Sequence, residues 1–563
     1  MNTMLLDEFI FRTEDIDSRE IEDIFVATKT DLDNLSYLKS KSPILLEGSR
    51  GTGKTMLLRM AERELDANFN KNRELPVYVN FSKAIFVDAK ENSLFFRNWM
   101  YSKILFALKR KLEKKGLLLP TTSILEKYFG AEDEKKPLTQ KLDEFIFSLE
   151  NSWSTTDFNL TKEAERIFGM DLMKLNVIRD VDYFKALIED ICDSCNIKRV
   201  ILLFDEACHN FIPIQQREFF TLFRDLRCSF ISCKAAVYPG ITSYGTFQAF
   251  HDAVVRKVER DINSKDYVEK MREIVKNQVD ESTYKIFENN GENFNALVYA
   301  ASGNPRMLLK SLFLASEDLK NLKATNVNST IKNFYRTNIW SEHTKLSNIY
   351  EGHKELIDWG RWFVENKVLM ETINKNEKRL IDDEDNKYKQ TIFFAIQKDA
   401  PAVVKQSIKI LEYSGIISLH TEGTKVKSEI YDRYQINFGV VLASEPKNSP
   451  VQRFKEIINN LSVKIFTEYG SNSPSYEGIE KISIVNSPTD AKDVLKNVLA
   501  DSIEKLDLTN FQCQKLKDAG FNSLEDILSS TEKELTKAER IGPIKARRIY
   551  NIAFNAAMEY ISG

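Results

Sequence analysis

Short, fully apolar runs separated by amphipathic stretches fill the first half of the chain. Pro43 to Leu58 reads as a buried strand, a glycine turn and an apolar-periodic helix, and "LPVYVNF" (75–81) is a second, β-branched run. "RVILLFDEA" (199–207) is an apolar strand ending in two carboxylates, and "CSFISCKAAVYPG" (228–240) is another strand. Strands apolar along their whole length, alternating with helices, predict a parallel sheet with helices on both faces. "SLFFRNWMYSKILFALKRKLEKKG" (93–116) is a long amphipathic helix ending in lysines and a glycine, as helix C-termini prefer. Residues from about 117 to 178 read as an irregular, charged insertion.

After about residue 262 helical patterns replace strands and continue, highly charged, to about residue 400. "APAVVKQSIKILEYSGIISLHTEGTKVKSEIYDRYQIN" then gives a helix, a glycine stop and two short strands around a polar turn, the pattern of a winged helix. "YGSNSPSYEG" (469–478) reads as a linker. The predicted organisation is an α/β nucleotide-binding core over 1–262, a helical lid over 263–335, and a helical linker with winged helix over 336–445. A linker region over 446–500 and a small all-α domain over 501–563 follow.

Composition narrows the class without choosing a function. The chain has 563 residues, 42% hydrophobic and 29% charged, which is ordinary for a soluble multidomain protein. No stretch approaches the roughly 20 apolar residues that span a bilayer, so no membrane association is expected. The opening "MNTMLLDEFIFRTEDIDSRE" is acidic and lacks the basic-then-apolar pattern of a signal peptide. Six scattered cysteines fit a reducing cytoplasm; Cys192 and Cys195 form a CxxC inside a helical pattern with no partner pair or histidine to complete a zinc site. A net charge of −3 argues against a surface coated in positive charge but leaves room for local basic patches.

"GSRGTGKT", Gly48 to Thr55, matches the phosphate-binding loop in full, between a strand and a helix as that motif requires. Gly48, Gly51 and Gly53 let the amides of Ser49, Arg50, Thr52 and their neighbours close around phosphates at a helix N-terminus. Lys54 should reach the β- and γ-phosphates and the Thr55 hydroxyl should ligate Mg²⁺, so ATP and Mg²⁺ are the expected cofactors. Asp205, at the carboxyl end of a buried strand, should hold the metal shell. Glu206 beside it can polarise an attacking water, which favours hydrolysis over transfer to a substrate.

"SGNPRMLLKSL" puts Arg306 one residue inside a helix behind the nucleotide fold. Together with "FRTEDIDSREIEDIFVATKTDLDNL", "GSRGTGKT" and "LLFDE", it resembles the origin recognition complex/Cdc6-like branch of the AAA+ superfamily, and its bacterial members in particular. That resemblance implies an α/β P-loop ATPase with a helical lid whose Arg306 reads the γ-phosphate, followed by a winged helix. It also implies a first sensor near the end of "FISCKAAVYPG", usually a small polar residue. Tyr238 stands there and Ser243 lies further on, so the sensor is not assigned. An arginine finger for a neighbouring subunit is expected near "AVVRKVERD", with Arg256 and Arg260 as candidates.

Within the winged-helix pattern, Val404, Ile408, Leu411 and Ile416 fit a buried side, and Lys405, Gln406 and Lys409 face outward. Lys425 and Lys427 sit at the wing turn. Lysines suit phosphate contact, and only Gln406 and His420 offer neutral base readers, so duplex DNA would be gripped with weak sequence preference. "LTNFQCQKLKDAGFNSLEDILSS" followed by "LTKAERIGPIKARRIYNIAF" resembles a tandem helix-hairpin-helix domain. Its second turn would offer the amides of Gly542, Ile544 and Lys545 to a phosphate, with Lys537, Arg540, Arg547 and Arg548 around it.

These features predict an ATP-driven DNA-binding switch or recruiter that self-associates or engages a protein effector. Phage defence, mobile-element control and DNA maintenance are its possible settings. The alternative is a STAND-type signalling ATPase that oligomerises and recruits an effector, with its winged helix packed against bound ADP.

Overall fold

The computed structural model describes residues 13, 16, 20–87, 93–130, 136–152, 158–208, 212–317, 319–349, 353–381, 389–446, 449–482 and 498–562. Of the N-terminal stretch contributing to the resemblance, residues 11–12, 14–15 and 17–19 lie outside these. The first sheet comprises β1 (Ile44–Glu47), β2 (Glu74–Asn80), β3 (Arg199–Asp205), β4 (Ile231–Val237) and β5 (Val254–Lys257), in the order β2-β3-β4-β1-β5. Every adjacent pair is parallel.

Side chains alternate between the faces of a strand, and here both faces are covered. Leu45, Val77, Leu202, Phe204 and Ala235 join one core, with the helices Ser93–Lys114 and Val181–Ser194. Ile44, Leu46, Ile201, Leu203 and Ala236 join another, under the helices Lys29–Leu38 and Lys54–Ala67. This double burial explains why β3 and β4 are buried at every position.

The expected irregular insertion is helical. The helices Leu118–Phe129, Leu138–Glu150 and Leu160–Phe168 pack into the first core. Polar residues had masked an apolar face that repeats at helical spacing: Leu138, Leu142, Phe145 and Leu149 are all buried.

Behind the sheet, helices from Tyr267–Lys276 to Pro305–Ala315 form the expected lid, and they share one core with the following region. That region is not helical throughout to residue 400. It contains β6 (Phe393–Gln397), which pairs with the hairpin β7 (Ile417–Val426) and β8 (Glu429–Ile436), and with β9 (Thr467–Tyr469). The helix Ala402–Tyr413, here called the wing helix, precedes the hairpin, and Gly415 between them is left-handed (φ +70°).

The expected linker 469–478 is packed instead. Tyr469 lies on β9 at 1% exposure, and its ring meets those of Phe363 and Phe394. Serines and glycines there disguised two buried tyrosines, Tyr469 and Tyr476.

The C-terminal unit consists of the short helices Asn510–Asp518, Leu524–Leu528 and Glu532–Leu535 and the long terminal helix Pro543–Ser562. Its apolar residues share a cluster with Ile85, Phe86, Ile212, Tyr238, Ile410 and Tyr413. Among the described residues no helix is long and apolar enough to cross a membrane.

Candidate nucleotide site and nucleic-acid surfaces

The phosphate loop follows β1, and the acid pair ends β3. Register aligns Glu47 with Val237 and Phe204 with Ala235, so β4 runs between loop and acids. Neighbouring strands lie about 4.8 Å apart, which puts the first residue after β4 midway across the site. That residue is Tyr238.

Gly51 (φ +83°) and Gly53 (φ +100°) adopt the left-handed turns that shape the loop, and Gly53 caps the helix Lys54–Ala67. Gly48 N–H donates to Val237 O (3.3 Å), tying the loop to β4. The Thr52 hydroxyl donates to Ser49 O (3.0 Å), while Thr55 stands half-buried in the first helical turn. Lys54 is buried, and its ammonium donates to Gly48 O (2.7 Å) and Ser49 O (3.0 Å). Burial lowers its pKa to about 7, against the opposing pull of Glu206 and Asp205. A phosphate in the loop would supply the missing counter-charge.

Asp205 is 1% exposed. Its Oδ2 accepts from Tyr78 Oη (2.8 Å) and its Oδ1 from Glu206 N–H (3.0 Å). Both of these donors are neutral groups. An oxygen pair of Asp205 and Thr55 at a strand end and a helix start is the hard donor chemistry Mg²⁺ takes, so the residues fit that ion. Glu206 has a left-handed backbone (φ +57°), rare for a non-glycine residue, and its Oε1 accepts from Tyr238 Oη (3.2 Å). Burial pushes the Tyr238 phenol well above its ordinary pKa, so it is the donor in this bond. The Lys54 ammonium sits 3.9 Å above the same ring.

The lid helix Pro305–Ala315 closes on the loop. Asn304 caps it by accepting from Met307 N–H (3.2 Å) and donates Nδ2 to Arg50 O (2.8 Å). A side chain added at Gly51 would lie 2.8 Å from Arg306 Cβ, so Arg306 stands directly against the loop.

Neither arginine-finger candidate points away from its own chain. The Arg260 side chain is 7% exposed, donating Nη1 to Thr52 O (2.8 Å) and pairing Nη2 with Asp31 (3.2 Å). Arg256 donates Nε to Asn34 (3.0 Å) and lies 4.4 Å over the Tyr37 ring. Ser243 accepts from Arg217 Nε (3.1 Å), on the side of the helix Pro213–Asp225. Sequence reasoning missed Asp31, Tyr78 and Tyr413. A capping-box pattern, Thr28 to Asp31, was the only local signal for the first of them.

The wing helix buries Val404, Ile408 and Leu411 as expected, but it also buries Ile410, Glu412 and Tyr413 on its other side. Two bodies flank it. Ser407 donates to Leu356 O (2.9 Å) of the helix Lys354–Phe363, and Gly240 abuts Lys409 so closely that an added side chain would come within 2.7 Å of its Cα. Lys405 is exposed and donates to Lys398 O (3.2 Å), Gln406 is half-buried, and the Lys409 side chain is exposed. Lys425 and Lys427 are exposed, and Lys427 takes the left-handed position at the hairpin tip (φ +55°). His420 turns inward: its ring meets Phe393 edge-on (4.9 Å), and Nδ1 faces the Thr421 hydroxyl (2.7 Å).

In the C-terminal unit the second hairpin turn is open to solvent. Nothing lies within 4 Å of a side chain added at Gly542, and Ile544 is 88% exposed at the first turn of the terminal helix. Lys545 donates to Arg540 O (3.3 Å) and Arg548 is exposed, but Arg547 is engaged with both carboxylate oxygens of Glu532 (3.1 Å each).

A parallel sheet that sets a glycine loop beside an acid pair, with one strand between them and a helical lid above, defines a P-loop nucleotide-binding fold of the AAA+ kind. The family model described as ORC-CDC6-like matches residues 9–359, more than half of the chain, and the chain belongs to that family. A second model, described as a SAM-like helix-hairpin-helix tandem, matches residues 511–553. No curated protein matches the chain. Among solved structures it is similar to the Aeropyrum pernix ORC1 protein in complex with DNA, at 14% identity, covering 75% of this chain and 93% of that one, with a TM-score of 0.27. It is also similar to the Aeropyrum pernix ORC2 protein in ADPNP–ADP complexes, at 11% identity, 78% and 92% coverage and a TM-score of 0.27.

Proposed function

We propose that this chain is a Mg²⁺-dependent ATPase whose nucleotide state sets the position of two DNA-contact modules. The loop amides and Lys54 bind the phosphates, Thr55 and Asp205 hold the metal, and Arg306 brings the lid to the γ-phosphate. Mg²⁺, when bound, supplies charge neutralisation on the phosphates. Glu206 orients a water and takes its proton. DNA would be held through phosphates, by Lys425 and Lys427 on the hairpin and by Gly542, Ile544, Lys545 and Arg548 on the C-terminal turn. Lys405 and Lys409, exposed on the wing helix, add to this surface, and the half-buried Gln406 lies between them.

The observation that carries this reading is the seat of the wing helix. Its last residue, Tyr413, packs ring to ring on Tyr238 (5.4 Å), which is hydrogen-bonded to Glu206. The same seat also favours the STAND-type reading, in which a docked winged helix restrains a signalling ATPase and release recruits an effector. Phage defence and mobile-element control rest on the resemblance alone.

The test is the ATPase rate with and without duplex DNA, for the wild type and for Lys545→Glu/Arg548→Glu. Arg548 is the better partner than Arg547, because reversing Arg547 would also set like charges against Glu532. Stimulation by DNA that is lost in the double variant supports the DNA-gated reading. A rate indifferent to DNA at every salt concentration, with nucleotide-driven oligomerisation, supports the signalling reading instead.

A further inference from the structure

The expected first-sensor position carries a tyrosine where the family pattern has a small polar residue, and the surroundings give that tyrosine three contacts. Its hydroxyl donates to Glu206 Oε1 (3.2 Å). Its face carries the Lys54 ammonium at 3.9 Å. Its ring meets that of Tyr413 at 5.4 Å and 67°. A serine or asparagine in this place could touch the acid, but it could not reach the wing helix. Tyrosine joins all three.

Each contact belongs to a different part of the machine. Glu206 is the hydrolytic acid of the proposed reaction, held here with a left-handed backbone that a non-glycine residue keeps only where its surroundings impose it. Lys54 rests on the ring and on the loop carbonyls, the place it leaves when phosphates arrive. Tyr413 ends the wing helix, 2% exposed, and the neighbouring turns hold it down. Gly240 lies against Lys409, and a side chain added at Gly415 would lie 3.2 Å from Met307 Cε and 3.6 Å from Ser49 Oγ. Ile85, Phe86, Ile212 and Ile410 complete the apolar cluster around the two rings.

We propose that Tyr238 is a positioning residue that parks Glu206 away from the attacking water, and that Tyr413 locks it there until the wing helix withdraws. The proposal rests on the ATPase reading above and adds its control. Two inputs converge on one ring: ATP draws Lys54 from its face, and departure of the wing helix removes Tyr413 from its edge. With either contact in place Tyr238 stays packed and Glu206 stays bonded to it. With both gone the phenol turns and its hydrogen bond to the Glu206 carboxylate is lost. Nucleotide alone therefore leaves the enzyme slow, and a ligand of the wing helix, duplex DNA on the reading above, makes it fast.

The test compares Tyr413→Ala, Tyr413→Phe, Tyr238→Phe and the Tyr413→Ala/Tyr238→Phe pair in the full chain. Steady-state ATPase is measured without DNA, and affinity is followed with a fluorescent ATP analogue. Tyr413→Ala is expected to raise the DNA-free kcat about tenfold, a barrier change of about 1.4 kcal/mol, with nucleotide affinity unchanged. Tyr413→Phe, which keeps the ring against Tyr238, should raise the rate less than Tyr413→Ala does. Tyr238→Phe, which loses only the hydroxyl, should also raise the DNA-free rate, and the pair should gain nothing beyond the larger single effect, because both changes open one lock. Hydrolysis that depends on Glu206 but is unchanged or slowed in Tyr413→Ala, with ATP still bound, overturns the proposal and spares the ATPase reading. Absence of hydrolysis in every form sinks both. Where Tyr413→Ala unfolds the chain, Gly240→Ala, which pushes on the docked helix from the core side, should give the same rise; a fall in rate there counts against the lock.

Discussion

Lys54 shows how a single side chain can carry charge through burial. Its pKa, lowered to about 7 by burial, leaves the amine about half protonated at neutral pH before phosphate binds. Phosphates favour the charged form, so below pH 7 binding needs no proton, and above pH 7 it must take one up. Affinity for Mg·ATP is therefore expected to be flat below pH 7 and to fall above it, by up to about tenfold per pH unit. Calorimetric titration in buffers of different ionisation enthalpy checks the proton count, and a flat profile up to pH 9 would refute it. Arg260 makes the opposite case, a charge that burial leaves paired. Its guanidinium holds Thr52 O and the buried carboxylate of Asp31, at side-chain exposures of 7% and 1%. Arg260→Ala leaves that carboxylate uncompensated and should destabilise the nucleotide-binding core by about 3 kcal/mol. A subunit-bridging finger would instead leave the melting temperature of an isolated chain unchanged, so scanning calorimetry separates the two roles.

At the scale of elements, the wing helix faces β1 across a pair of acids. Burial raises the Glu412 pKa to about 8, reinforced by Glu47 and opposed by Lys257 and Lys409. Glu47 is raised as well, chiefly by burial. An undocked Glu412 returns to the ordinary value near 4.5, so the docked helix binds the extra proton between that pH and about 8. Docking is favoured at the acid end of this window, weakens as pH rises through it, and changes no further above it. Fluorophores on the core and on the hairpin tip should report increasing separation from pH 5 to pH 8. Glu412→Gln, which stays neutral, should hold the acid-side distance throughout. The same window should appear in the DNA-free ATPase rate, because the helix carries Tyr413.

Across the whole molecule, the C-terminal unit is fixed to the nucleotide core by aromatic and polar contacts. Lys83 donates to Tyr550 Oη (3.2 Å) and Phe86 meets Phe554 at 6.2 Å, both from the turn that follows β2. Gln215 donates to Ala84 O and Val87 O (2.8 Å each), so that turn is held by the helix next to the acid pair. Phe554→Ala is expected to loosen the C-terminal unit without unfolding the sheet. Small-angle scattering should show a larger radius of gyration while nucleotide affinity is kept. An unchanged radius would mean that the polar contacts alone hold the unit.

The division between sequence and tertiary structure follows the range of the forces involved. The loop, the apolar strands and the acid pair were legible in "GSRGTGKT" and "LLFDE", because phosphate capture and strand burial are set by residues adjacent in the chain. Arg306 was legible through "GNPR", since its helix cap is local and its contact with Gly51 follows from the fold. The insertion helices, β6 and the buried tyrosines of 469–478 were not, because polar residues mask their apolar faces until a distant surface covers them. Nor could spacing show that Tyr238 and Tyr413, far apart in the chain, meet over Glu206, or that Arg260 turns into its own core. Local sequence determined the chemistry of the site. Packing between distant segments decided which side chains meet around it, since a contact across the core depends on which surfaces the folded chain brings together.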